Sequence, residues 1–109
     1  MSIYQIREEA SANKDMDAFA ATMHDDFEFI SHQDGTTWNR EKSIEMFTML
    51  MNNDDFVTHE SRCLYENDDV MVTHGVMSFP DGSREAVLAF HQIKDGKVIR
   101  METGATLLE

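Results

Sequence analysis

The groups in this chain with chemistry to offer are five histidines and a few charged residues set within apolar runs. His32 follows the alternating run Phe27-Glu28-Phe29-Ile30-Ser31, and an imidazole at a strand end, titrating near neutrality, is equipped to take up or release a proton. A histidine so placed is more commonly a hydrogen-bonded surface group, so His32 is a candidate general base and no more. Glu60 and Arg62 alternate along a second run. The arginine there could clamp a substrate carboxylate or simply neutralise its neighbour. His59, His74 and His91 fall on separate runs, with no His-x-His or Cys-x-x-Cys spacing, so the sequence points to no metal and no cofactor. Cys63, the single cysteine, has no partner for an internal disulfide and reads as a packing residue. No nucleotide-binding glycine loop or serine-nucleophile elbow is present.

The elements that must position these groups follow from periodicity. Ser2 and Gln5 have capping-box spacing, and Ile3, Ile6 and Ala10 share a helical face, which predicts a helix over 3–12. Asp15 can cap a second helix carrying the stripe Met16, Phe19, Ala20, Met23. A strand over residues 27–32 stops at Asp34-Gly35, and Trp38 lies in the loop beyond, where it covers a pocket mouth or anchors the next helix. Asn39 then caps a third helix reaching Met51. Runs near 56–66, 70–79, 84–93 and 97–107 are separated by Asn67-Asp68, Asp81-Gly82 and Asp95-Gly96, pairs that tolerate the positive φ of tight hairpins. The prediction is one α+β domain over 1–109, with N-terminal helices packed on a curved, mainly antiparallel sheet.

Turn length decides which residues share a face. If Asp81-Gly82 and Asp95-Gly96 are two-residue turns, Met71, Thr73, Gly75, Met77 and Phe79 join Ala86, Leu88, Phe90, Ile99, Met101, Thr103 and Ala105 on an apolar face. That face should meet the helices and line a pocket. The opposite face then carries Val72, His74, Val76, Val87, Ala89, His91, Val98, Arg100 and Glu102. Its mixture of apolar and ionisable groups suits a homodimer interface, with His91, Arg100 and Glu102 as a cross-strand polar cluster. A two-residue turn at Asn67-Asp68 directs Glu60 and Arg62 into the pocket, whereas a one-residue change directs them outward.

Composition narrows the partners. A formal charge of −12, with only nine lysines and arginines, repels phosphate backbones and argues against nucleic acid and anionic membranes. No run approaches the roughly 20 apolar residues of a membrane helix, and no secretory leader is visible, so a cytoplasmic location is expected. Nine methionines suit an interior of adaptable shape.

Two helices, a strand entered at His24-Asp25-Asp26-Phe27, the Asp34-Gly35 turn, a third helix, and four hairpin-linked strands ending in Lys94-Asp95-Gly96-Lys97-Val98-Ile99 resemble the nuclear transport factor 2-like superfamily, in particular its SnoaL-like branch. The resemblance covers nearly the whole chain and implies an α+β cone-shaped barrel. Members include isomerases, dehydratases, cyclases, epoxide hydrolases and proteins that only bind or assemble, so the fold leaves the function open. Ketosteroid-isomerase-like members place a carboxylate base where this chain reads Ser31-His32-Gln33, which is what singles out His32. The expected function is binding of a hydrophobic small molecule in a pocket lined by Phe29, Trp38, Leu88, Phe90, Met101 and Thr103, with polarity from His32, Glu60 and Arg62. Cofactor-free isomerisation, dehydration or cyclisation is the matching chemistry. The alternative is a non-catalytic dimerisation or protein-interaction module of the same fold.

Overall fold

The computed structural model describes residues 2–109. Helix α1 (Ile3–Ala12) opens with the full capping box, Ser2 and Gln5 each satisfying the other's backbone N–H. Helix α2 (Met16–Ala20) is capped by Asp15, whose side chain accepts from Ala18 N–H. It ends before Met23, which the helical stripe had included. Met23 instead begins strand β1 (Met23–Ser31) and is wholly buried. Strand β2 (Thr37–Asn39), read as loop in the sequence, pairs antiparallel with β1, setting Trp38 opposite Phe29. Helix α3 (Arg40–Met51) follows, capped by Asn39. Strands β3 (Val57–Glu66), β4 (Val70–Ser78), β5 (Arg84–Lys94) and β6 (Lys97–Leu108) complete the expected meander.

The six strands form one curved, unclosed sheet in the order β2-β1-β6-β5-β4-β3. All pairings are antiparallel except that of β1 with β6, which runs parallel and brings Met23 beside Val98 and Phe29 beside Met101. The helices cover one face. There Met23, Phe27, Phe29, Met71, Ile93 and Val98 form the buried core, with Ile3, Phe19, Ile44 and Phe47 from the helices packed against it. Helix α1 is held to the sheet at its N-terminus, where Glu66 accepts from Ile3 N–H at 3.0 Å and Tyr4 N–H at 3.4 Å. That carboxylate takes up donors that the first helical turn cannot satisfy itself. A second tie links Tyr4 Oη to Ser61 Oγ at 3.0 Å, and Ser61 Oγ donates to Glu8 at 2.9 Å.

Two departures from the expected register redistribute side chains between the faces. At Asp81-Gly82 the hairpin is longer than two residues. Ser78 pairs with Arg84, Phe79 N–H donates to Ser83 O, and Asp81 Oδ1 accepts from the backbone and hydroxyl of Ser83. The extra residue shifts β5 by one, which exchanges its two faces. At Asp95-Gly96 the two-residue turn forms as expected, with φ of 54° and 75° and Lys94 opposite Lys97. A bulge at Gln92/Ile93 then shifts β6 relative to β5. The two shifts cancel between β4 and β6, so Met101, Thr103 and Ala105 still share a face with Met71, Thr73, Gly75 and Met77. Val87, Ala89 and His91 turn inward, and Ala86, Leu88 and Phe90 turn outward. Val98, expected on the outer face, lies in the core.

A candidate binding site on the concave face

The inward residues of the sheet form rows across β4, β5 and β6, extended by β1. From the Asp95-Gly96 end they read Ile93 and Val98; then Met71, His91, Met101 and Phe29; then Thr73, Ala89, Thr103 and Ser31. Gly75, Val87 and Ala105 come next, and Met77, Glu85 and Leu107 lie at the far end. The two middle rows contain nothing larger than valine. Small side chains at the centre of a curved sheet leave space above them that large ones would take up.

The wall beside this floor is aromatic. Phe29 and Trp38 stack with centroids 5.0 Å apart, and Phe47 of α3 meets both edge-on at 5.5 Å and 6.3 Å. Phe47 also meets Phe19 of α2 at 6.1 Å. Such offset and edge-to-face contacts fix the rings and join both helices to β1.

Polar groups gather at the inner end. His91 is 2% exposed, and its Nδ1 lies 3.0 Å from the Met71 carbonyl. A carbonyl can only accept, so Nδ1 carries the proton and Nε2 is left as an acceptor. Burial, followed by the charge of Arg7, lowers the imidazole to about 4, so His91 is neutral at physiological pH. Arg7 projects from α1 onto the Phe19 ring, 4.5 Å from its centroid, and its Nε donates to Thr22 Oγ1 at 2.9 Å. Thr22 in turn donates to the Phe19 carbonyl at 2.7 Å. Glu85, at the opposite end of the floor, is half-buried.

Of the residues expected to line a pocket, Phe29, Trp38, Met101 and Thr103 lie on or beside this face. Leu88 and Phe90 do not. The longer hairpin at 79–83 puts them on the outer face, 50% and 40% exposed. Arg62 also faces outward, opposite His74, because a bulge between Cys63 and Tyr65 shifts β3. Glu60 sits exposed in a second irregularity of β3, with φ of 49°. His32 lies on the outer face as well, its side chain 59% exposed. The alternation along β1 that buries Phe27 and Phe29 sends Glu28, Ile30 and His32 to the other side.

That outer position gives His32 different partners. Its Nε2 lies 2.8 Å from Glu102 Oε1, Arg100 Nε donates to Glu102 Oε2 at 3.1 Å, and Arg100 Nη1 donates to Glu28 at 2.9 Å. The hydrogen bond with His32, then that with Arg100, holds the Glu102 carboxyl below its ordinary range. His32 thus occupies the place in this cluster that the sequence assigned to His91. Elsewhere, a separate shallow cleft of about 490 Å³ is lined by Asp25, Asn39, Arg40, Glu41 and Ile44. Among the described residues no group of three or more histidines, cysteines or carboxylates converges to hold a metal. Nor, among the described residues, is any helix long and apolar enough to cross a membrane.

The sequence reading missed Arg7, Glu85, Val87, Ala89 and His91 as concave-face residues. For Arg7 a signal existed: it follows Ile3 by four positions and precedes Ala10 by three, within the buried stripe of α1. For the β5 residues the error was one of register alone.

A SnoaL-like domain family model matches residues 6–101 of the chain, and the chain belongs to that family. The solved structures it resembles are of the nuclear transport factor 2-like type. An NTF2-like protein of unknown function from Mesorhizobium loti superposes with a TM-score of 0.82 at 10% identity, over 95% of this chain and 88% of that one. A steroid delta-isomerase from Pseudomonas aeruginosa gives 0.73 at 14% identity, over 95% and 77%. A candidate polyketide cyclase from Sinorhizobium meliloti gives 0.71 at 21% identity, over 94% and 93%. At such identities these likenesses speak for the fold. No curated protein sequence matches the chain.

Proposed function

We propose that this SnoaL-like protein binds a hydrophobic small molecule on the concave face of its sheet. The observation that carries the reading is the floor of small residues, Thr73, Gly75, Val87, Ala89, Thr103 and Ala105, beside the aromatic wall of Phe29, Trp38 and Phe47. Polar groups border it at both ends, the His91 imidazole and Thr103 hydroxyl at one and the Glu85 carboxylate at the other, and either the imidazole or the carboxylate can exchange a proton with a bound molecule without a cofactor. Isomerisation, dehydration or cyclisation is the corresponding chemistry. The steroid isomerase and the candidate cyclase of the same fold act as precedents for it.

The test is a thermal-shift screen against hydrophobic ketones, carboxylic acids and sterol-like compounds, run on the wild type and on Ala105→Phe, which fills the floor. A ligand selective for the native state raises the melting temperature, by about 3 kcal/mol of added stability at a hundredfold excess over Kd. The expected outcome is a rise in the wild type that is lost in the variant. No rise across the panel would rule the reading out.

A second observation favours homodimerisation. On the outer face Leu88 and Phe90 stand beside Val72, Val76 and Ala86, with Arg100, Glu28 and Glu102 at the margin. An apolar centre bordered by charges of both signs can oppose a second copy of itself across a two-fold axis.

A further inference from the structure

Arg7 is 7% exposed, and its Nη2 is buried with no hydrogen-bond partner among the described residues. None of the ion pairs among those residues includes it. What surrounds the guanidinium is a phenyl ring, a threonine hydroxyl and the neutral His91. None of these supplies a counter-charge. Burial lowers the group only to about 10, so it remains a cation at neutral pH. A desolvated cation with a spare donor is unfavourable unless an anion completes it. The planar fork of a guanidinium matches a carboxylate in particular.

The position of Arg7 says where such an anion belongs. Arg7 Nε donates to Thr22 Oγ1, and the Thr22 carbonyl accepts from Val98 N–H, which sets the guanidinium at the Ile93–Val98 end of the inner face, past the row of Met71, His91 and Met101 that borders Thr73, Ala89 and Thr103. A molecule lying on the small-residue floor and reaching past that row therefore has Arg7 at its inner end and the aromatic wall along its side.

We infer that the ligand of the concave face is a hydrophobic carboxylic acid, bound as its anion with the carboxylate on Arg7 and the hydrocarbon along the floor. This rests on the concave-face reading and adds the chemical class. Arg7 acts as a binding residue that selects charge, and the apolar floor selects the rest of the molecule.

The experiment titrates the protein with straight-chain carboxylates from butyrate to decanoate and with the matched primary amides, which keep the shape and lose the charge. Melting temperature and the ¹⁵N–¹H resonance of Arg7 Nε are followed. Expected are a melting-temperature rise and an Arg7 shift with the longer carboxylates, at least about tenfold weaker binding of the amides, and a similar loss for carboxylates in Arg7→Met. Should Arg7→Met fail to fold, Arg7→Lys, which keeps the charge without the fork, and the wild-type carboxylate-to-amide ratio carry the comparison. Amides that bind as tightly as carboxylates, or carboxylates that leave the Arg7 resonance unmoved, would overturn the inference while leaving the concave site standing. If neither series binds, but a ketone or sterol-like compound does, the inference falls alone. If nothing binds at all, both readings fall.

Discussion

Among single residues, His91 has the most definite consequence. Its folded value of about 4 lies below the unfolded value near 6.5, so between these limits the unfolded chain binds more protons. Stability is therefore complete above about pH 6.5 and declines as the pH falls toward 4, by about 3 kcal/mol in all. The carboxyls held below their ordinary range, Asp34, Asp54, Asp81 and Glu102, contribute stability that is lost only at lower pH, as each is protonated. Urea unfolding from pH 7.5 to 4.5 should show this decline in the wild type and a nearly flat line in His91→Leu. Parallel slopes in the two proteins would refute the assignment. The sequence could not supply this residue's role, because the inward or outward facing of His91 hung on one residue of loop length. Phe29, Met101 and Thr103 were legible on the inner face because their strands keep their parity with β4, the one through β6 and the other through two cancelling shifts.

Elements were easier to read than their alignment. Local chemistry sets a helix start or a tight turn: the Ser2-Gln5 box, Asp15, Asn39 and Asp95-Gly96 all act as their residue types dictate. Bulges and exact loop lengths are weakly marked in a sequence: the longer hairpin at 79–83 turned Leu88 and Phe90 to the outer face, the bulge at Cys63/Tyr65 did the same for Arg62, and the bulge at Gln92/Ile93 kept β6 on its expected face. The anchoring of α1 by Glu66 was equally hidden, since more than 60 residues separate the partners. Replacing Glu66 with alanine leaves two helix N–H groups without their acceptor and should cost about 1–2 kcal/mol. Glu66→Gln, which keeps an acceptor, should recover part of that loss. Chemical denaturation of the three proteins measures it, and an unchanged midpoint in Glu66→Ala would show that α1 is held by packing alone.

For the molecule as a whole, the outer face predicts association. Sedimentation at about 10 µM should give a dimer mass for the wild type and a monomer for Leu88→Asp, with similar melting curves for the monomeric subunits. Because each copy carries a formal charge of −12, added salt should tighten the dimer by screening their repulsion. A monomeric wild type would sink the proposal. The order of elements sufficed to read the α+β architecture and the meander, yet nothing local announces that β1 pairs in parallel with β6. That pairing has a consequence for how the chain is made. The first strand contributes Met23, Phe27 and Phe29 to the core, but β6, one of the two strands it pairs with, is the last of the six to be synthesised. Contacts this distant along the chain are slow to form, so the part of the core that β1 shares with β6, with Met23 beside Val98 and Phe29 beside Met101, closes only after residues 97–108 are made. The native core should therefore appear late and all at once.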